Sequence, residues 1–457
     1  MIHQDTIVAL ATPSGAGAIA IIRLSGSEAI TIASKMFRSV SEKRLEEQHT
    51  HTVHLGNIVE GDRIIDEVLV SIFKNPNSYT GEDVVEISCH GSAYIQQEII
   101  QLAIRKGCRM ANPGEFTLQA FLNGKMDLSQ AEAVADLIAS DSKASHQLAI
   151  QQMRGGFSSE IKLLRDELLN FASLIELELD FAEEDVEFAN REDFQKLIVK
   201  ITALLKRLID SFATGNVLKN GIPVAIVGRP NSGKSTLLNV LLNEERAIVS
   251  DIPGTTRDTI EDEISIGGIR FRFIDTAGLR DTTDEIEKIG VERALEKLKK
   301  SAIYIYLFDI NTMTAEEVNT ELQSFSSSAK QIIIANKTDL ASPETIQKFK
   351  ESDLDIHFIS AKNKESLDQL SDTLLDHAGI DSLDSNQLVV TNSRHYGVLV
   401  KALEEIDKVQ EGIDANLSGD LLAIDLRQAL YHLGEITGQV SNDDLLGNIF
   451  ANFCIGK

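Results

Sequence analysis

The stretch Gly221-Ile-Pro-Val-Ala-Ile-Val-Gly228-Arg-Pro-Asn-Ser-Gly233-Lys234-Ser235-Thr236 decides the fold. Ile222–Val227 is an apolar run of strand length. The next eight residues fit G-x-x-x-x-G-K-[ST], and a helical pattern follows, which is the context this motif needs. The glycines let backbone N–H groups close around phosphate oxygens, and the helix N-terminus adds a favourable dipole. Asn231, Ser232, Gly233, Lys234, Ser235 and Thr236 are therefore candidate nucleotide contacts. Lys234 is expected on the β- and γ-phosphates, and the Ser235 hydroxyl on Mg²⁺.

Three further motifs follow in order, each at the end of a candidate strand. Asp275-Thr276-Ala277-Gly278 ends the run Arg270–Ile274, where an Asp can hold Mg²⁺ through water and a glycine N–H can face a γ-phosphate. Asn336-Lys337-Thr-Asp339 ends Gln331–Ala335, and Ser360-Ala361-Lys362 ends Ile356–Ser360. A carboxylate at Asp339 accepts from guanine N1 and N2, a donor pair that adenine lacks, so GTP rather than ATP is expected. Gly254-Thr255-Thr256-Arg257-Asp258 lies where a γ-phosphate-sensing segment must sit, and Thr256 is the expected second Mg²⁺ ligand. Ras-like enzymes place a water-orienting Gln after DxxG. Here Leu279 stands there and can orient nothing. Glu287 is the candidate replacement, with Asp281, Asp284 and Glu285 as competitors. A cation beside the phosphates, held in part by Asn231, could neutralise transition-state charge instead of an arginine.

Outward from this unit, the pattern changes twice. Residues 1–118 read as strand-rich α+β, with strand candidates at Asp66–Phe73 and Val84–Ser88 and a helix at Tyr94–Lys106. No proline occurs between Pro113 and Pro223. Ile161, Leu164, Leu168, Phe171, Ile175 and Leu179 mark one face of a long helix, followed by an acidic stretch from Asp180 to Glu187. A helix is also expected at Gly397–Gln410, and Gly267–Gly268 reads as a hairpin turn. The expected organisation is an α+β domain at 1–118, a discontinuous helical domain at 119–220 plus 379–457, and a doubly wound α/β unit inserted at 221–378. The 457 residues suit about three domains. A net charge of −26 argues against a surface that coats nucleic acid or anionic membrane. Three cysteines suit a reducing cytosol, and the absence of a long apolar run predicts no membrane span and a cytoplasmic protein.

The whole chain resembles the MnmE (TrmE) family of tRNA modification GTPases. The resemblance rests on Asp5-Thr-Ile-Val, Ser78-Tyr-Thr-Gly-Glu-Asp83, Pro113-Gly-Glu-Phe116, Ala120-Phe-Leu-Asn-Gly-Lys125, the GRPNSGKS loop, GTTRD, DTAGLR and Phe453-Cys-Ile-Gly-Lys457. It implies an N-terminal tetrahydrofolate-binding domain that forms a homodimer, a helical domain and an inserted Ras-like G domain. It also implies an FAD-dependent partner, MnmG, in a heterotetramer or larger assembly; since this chain is so acidic, that partner is expected to supply most tRNA contacts. The pair would add an aminomethyl or carboxymethylaminomethyl group to C5 of the wobble uridine. The one-carbon unit would come from a 5-formyl or 5,10-methylene tetrahydrofolate. FAD would enter only through the partner.

By motif position, Asn231, Ser250, Ile252 and Thr255 resemble the K⁺ ligands, Ser235 and Thr256 the Mg²⁺ ligands, and Glu287 the water-orienting acid. Arg23, Glu86, Lys125 and Lys457 match folate-contacting positions. Ser250 and Pro253 stand where the family often has Thr and Ala. Cys454 reads either as a buried structural thiol or as a thiol near the chemistry, while Cys89 and Cys108 are expected in the core. The alternative to a modification enzyme is a switch GTPase acting in ribosome assembly.

Overall fold

The computed structural model describes residues 5–180, 191–244, 262–274, 298, 301–325, 329–378, 388–441, 443–451, 453, 454 and 456. The chain divides into two compact units, one of residues 1–139, 149–205 and 397–457, the other of 140–148 and 206–396. The architecture is the mixed one expected: an α+β N-terminal part, helices and a doubly wound α/β sheet. The acidic stretch beyond Asp180 lies outside the described residues.

The first unit is built on β1 (Ile7–Leu10), β2 (Ile19–Ser25), β3 (Phe37–Ser39), β4 (Thr52–Glu60), β5 (Arg63–Phe73), β6 (Val84–His90) and β7 (Arg109–Met110). Their order is β3-β4-β5-β6-β2-β1-β7, antiparallel except for the β1–β7 pair. The period-2 pattern shows in β5, where Val68, Val70 and Ile72 are buried while Glu67 and Leu69 face out. Helices Ala29–Met36 and Ala93–Arg105 supply Ile30, Ala33, Ile99 and Leu102 to the same core. The helical part follows the 3.6-residue period. Helix Gly156–Asp180 buries Ile161, Leu164, Leu168 and Ile175, and packs on helix Gly419–Thr437, which buries Leu422, Leu426, Leu433 and Ile436. Each such leucine is worth roughly 1.5–3 kcal/mol of burial. Two helices with 238 residues of sequence between them thus pack on each other.

The second unit contains β8 (Ile222–Val227), β9 (Asp262–Ile266), β10 (Ile269–Phe273), β11 (Ile303–Asp309), β12 (Lys330–Asn336) and β13 (Ile356–Phe358). Their order is β13-β12-β11-β8-β10-β9. All neighbours are parallel except β9–β10, which Gly267–Gly268 joins as a hairpin. Parallel strands are covered on both faces, which is why Ile303–Phe308 is buried without alternation. Strand order reverses at β8: β10 lies on one side of it and β11 on the other. In such sheets ligands bind beyond the carboxyl ends of the strands at the reversal point. The loop after β8 is the glycine-rich motif.

Candidate functional site

Backbone sterics shape the phosphate loop. Gly228 has φ +150°, and a Cβ there would lie 2.0 Å from the Leu307 carbonyl oxygen of neighbouring β11. At Gly233, φ is +102° and a Cβ would lie 2.2 Å from Asn336 Nδ2. Neither position has room for a side chain. Asn231 between them is left-handed at φ +61°. Helix Lys234–Glu244 starts directly on this loop. Lys234 Nζ donates to the carbonyls of Gly228 and Arg229, each at 2.8 Å, so the ammonium already spans the loop mouth. Ser232 is buried, Ser235 half-buried and Thr236 exposed.

The base-side loops are tied to the phosphate loop. Buried Asn336, at the end of β12, donates to the Ser232 carbonyl (2.8 Å) and accepts from Ala361 N–H (3.0 Å). Lys337, left-handed at φ +65°, donates to the Asn231 carbonyl (2.7 Å) and to Asp309 Oδ2 (2.8 Å). Burial works against the Asp309 charge, but the bonds from Lys337 and Asn311 outweigh it and hold its pKa below the ordinary carboxylate value. Ser360 Oγ donates to Asp339 Oδ1 at 2.7 Å. Asp339 is exposed, as is Lys362, so the desolvation behind guanine selectivity must come from the base that covers the carboxylate.

The structure therefore gathers Asn231–Thr236, Asn336, Lys337, Asp339, Ser360 and Ala361 at one end of the sheet. Ser250, Ile252, Thr255, Thr256, Asp275, Thr276, Ala277, Gly278 and Glu287 lie outside the described residues, as does Lys457. Sequence reasoning missed Asp309. Its signal was a lone carboxylate ending a fully apolar strand.

A second constellation sits on the N-terminal sheet. Arg23 on β2 and Glu86 on β6 face each other in register, and Arg23 Nε and Nη2 reach Glu86 Oε1 at 2.9 and 2.7 Å. Arg23 Nη1 donates to the Gly456 carbonyl at 3.2 Å. The guanidinium lies 5.5 Å from the Tyr79 ring centroid and 5.7 Å from that of Phe116. The chain near its C-terminus is seated here: Gly114 N–H donates to the Cys454 carbonyl (3.4 Å), and Gly456 is buried against the Leu10 carbonyl. Lys125 is not part of this cluster. It donates to the Pro76 carbonyl (2.9 Å) and lines a cavity of about 400 Å³ with His51, Phe73, Asn77, Ser78 and Tyr79. Tyr79 belongs to both places, with its ring beside Arg23 and on the cavity wall. Tyr79 and Phe116 stand inside the motifs quoted above but were not singled out, because nothing local shows which side chain they touch. Cys454 is exposed, which overturns its reading as a buried structural thiol. Cys89 and Cys108 are buried, and burial raises their thiols to about 11 and about 12.

Fold and phosphate loop together define a P-loop GTPase. Two family models match successive stretches of the chain: the GTP-binding protein TrmE N-terminus over residues 6–125 and the MnmE helical domain over residues 128–454. The tRNA modification GTPase MnmE of Christiangramia forsetii is 63% identical over 99% of this chain and 99% of its own. That of Flavobacterium psychrophilum is 63% identical over the full length of both, and that of Bacteroides fragilis 54% over the full length of both. Among solved structures, Era in complex with MgGDPNP and nucleotides 1506–1542 of 16S ribosomal RNA is 26% identical. It covers 40% of this chain and 66% of its own, with a TM-score of 0.27, too low to bear on function. The chain belongs to the MnmE family of tRNA modification GTPases, and it is a GTP-hydrolysing enzyme. Among the described residues, no helix is long and apolar enough to cross a membrane.

Proposed function

We propose that this chain couples GTP hydrolysis to the addition of an aminomethyl or carboxymethylaminomethyl group at C5 of the wobble uridine of tRNA. It does so with an FAD-dependent MnmG-type partner. The observation that carries this reading is the Arg23–Glu86 pair, braced by the Gly456 carbonyl and two aromatic rings, in a chain that also holds a GTP loop. A tetrahydrofolate derivative, 5-formyl or 5,10-methylene, would supply the one-carbon unit. The residues fit such a group: Glu86 suits the N–H donors of a pterin, Arg23 and Lys125 suit carboxylates, and Tyr79 and Phe116 offer flat apolar contact. The exposed residues Val53, Leu55, Ile64 and Leu69 on β4 and β5 form an apolar surface suited to a homodimer through this domain.

In the G domain, Mg²⁺ would rest on Ser235 and Thr256, and K⁺ on Asn231, Ser250, Ile252 and Thr255. Asn231 is exposed and its carbonyl is engaged by Lys337, so its side chain is the group that meets a cation. The cation would neutralise charge on the phosphates. Glu287 would orient the attacking water in place of a glutamine. Hydrolysis would then drive the rearrangement that the partner's chemistry needs, and the negative net charge leaves most tRNA contacts to the complex.

The test is nucleoside mass spectrometry of bulk tRNA from cells lacking the protein. Loss of 5-substituted wobble uridines, restored by wild type but not by a Lys234→Ala variant, is expected. An unchanged nucleoside profile would leave a GTPase switch acting in ribosome assembly. On purified protein, GTP turnover should be faster in K⁺ than in Na⁺ at equal ionic strength; equal rates would remove the K⁺ site.

A further inference from the structure

The second residue of the phosphate loop, Arg229, is a variable position of the motif, yet its side chain is held firmly. Its Nε donates to Glu321 Oε1 at 2.5 Å, and its Nη2 lies 3.9 Å from Glu317 Oε1. Glu317 and Glu321 stand one turn apart on helix Ala315–Ser324. Thr314 fixes the start of that helix through a reciprocal capping pair with Glu317. The other Glu321 oxygen accepts from the Tyr306 hydroxyl at 2.5 Å. Tyr306 is fully buried in β11, in register with Val227 at the end of β8. Its ring packs at 6.1 Å from that of Phe308 and 5.9 Å from that of Phe325. Burial, reinforced by Glu321, pushes the Tyr306 hydroxyl pKa up, so it stays a donor. On the far side, the Arg229 carbonyl accepts from Lys234 Nζ. A continuous chain of charge-assisted bonds thus runs from the core of the sheet to the lysine that must meet the nucleotide phosphates.

We infer that Tyr306 and Glu321 are positioning residues for GTP, fixing the phosphate loop through the Arg229 side chain. They touch no nucleotide. The core-anchored tyrosine locks one glutamate oxygen, and the other oxygen locks the guanidinium. The loop backbone between Gly228 and Asn231 is then held open for phosphate before nucleotide arrives. Lys234 can leave the carbonyls of Gly228 and Arg229 for a phosphate without the loop collapsing behind it. Pre-organisation of this kind lowers the ordering cost of binding.

The experiment is a double-mutant cycle on the full chain, read as the Kd of a fluorescent GDP analogue and as KM and kcat for GTP. Arg229→Met and Glu321→Gln should each raise the Kd about tenfold, and Tyr306→Phe about threefold. The double variants R229M/E321Q and R229M/Y306F should bind no worse than the weaker-binding single variant. KM should rise more than kcat falls, and R229K should recover part of the loss. Wild-type affinity in R229M, or additive losses in the doubles, would overturn the relay. Failure of the wild type itself to bind the analogue would instead strike at the GTP site. Were Tyr306→Phe to lower the melting temperature, half-exposed Arg229→Met would decide alone.

Discussion

The two sites of this chain are made of different material. At the phosphate loop the shape that receives the ligand is set by main chain, in left-handed or glycine-only conformations packed on neighbouring strands. At the N-terminal sheet they are side chains: a guanidinium, a carboxylate and two rings, with one distant carbonyl. A main-chain site is damaged by adding an atom. A side-chain site is damaged by removing one.

The largest effect should come from adding a single methyl. Gly228→Ala places Cβ on the Leu307 carbonyl, so loop or strand must move. Nucleotide binding should weaken by at least ~100-fold, roughly 2.7 kcal/mol, measured by titration with a fluorescent GDP analogue. Near-normal binding by this variant would break the contrast at its main-chain end.

An intermediate effect should follow deletion at the other site. Arg23→Ala leaves the half-buried Glu86 carboxylate without its fork and frees the Gly456 carbonyl. We expect ~1 kcal/mol of stability lost by denaturant titration and, on the folate role proposed above, tetrahydrofolate binding weakened at least about tenfold by equilibrium titration. Arg23→Lys should not restore binding, because an ammonium reproduces neither the fork nor the stacking. Full rescue by lysine would mean that only charge matters there.

The smallest effect sharpens the contrast, because it concerns a side chain serving the main-chain site. Asp309→Asn should lower stability at neutral pH by ~0.5–1 kcal/mol. The folded pKa of Asp309 is below its unfolded value, ~3.9. Its contribution is therefore complete above that value and is lost as pH falls through the lower folded value. Melting temperatures of wild type and variant should converge on acidification. A gap that persists at low pH would assign Asp309 a packing role instead.

The same contrast explains what could be read from sequence. The phosphate loop is eight consecutive residues, because strand, turn and helix start follow one another along the chain. The Asn336 and Ser360 loops are equally local, and the Gly267–Gly268 hairpin is two residues. The apolar run Ile303–Phe308 is likewise contiguous in the sequence. The N-terminal sheet was less legible. Its β3 and β7 have three and two residues and exist only through their neighbours β4 and β1. Resemblance to the family pointed to Arg23 and Glu86, but not to the rings beneath Arg23, since residues 23, 79, 86, 116 and 456 meet only after the sheet forms. Lys125 lines a cavity with Tyr79 and bonds the Pro76 carbonyl rather than Glu86 or Gly456, a placement that no spacing along the chain could reveal.

The bond from Arg23 to the Gly456 carbonyl spans 433 residues. A ribosome elongating at ~5–20 residues per second would make Gly456 roughly 20–90 s after Arg23. Throughout that interval the emerging N-terminal sheet must keep its guanidinium in place with Glu86, Tyr79 and Phe116, without the Gly456 carbonyl. The cluster is finished only when the late-made segment returns to the first-made one.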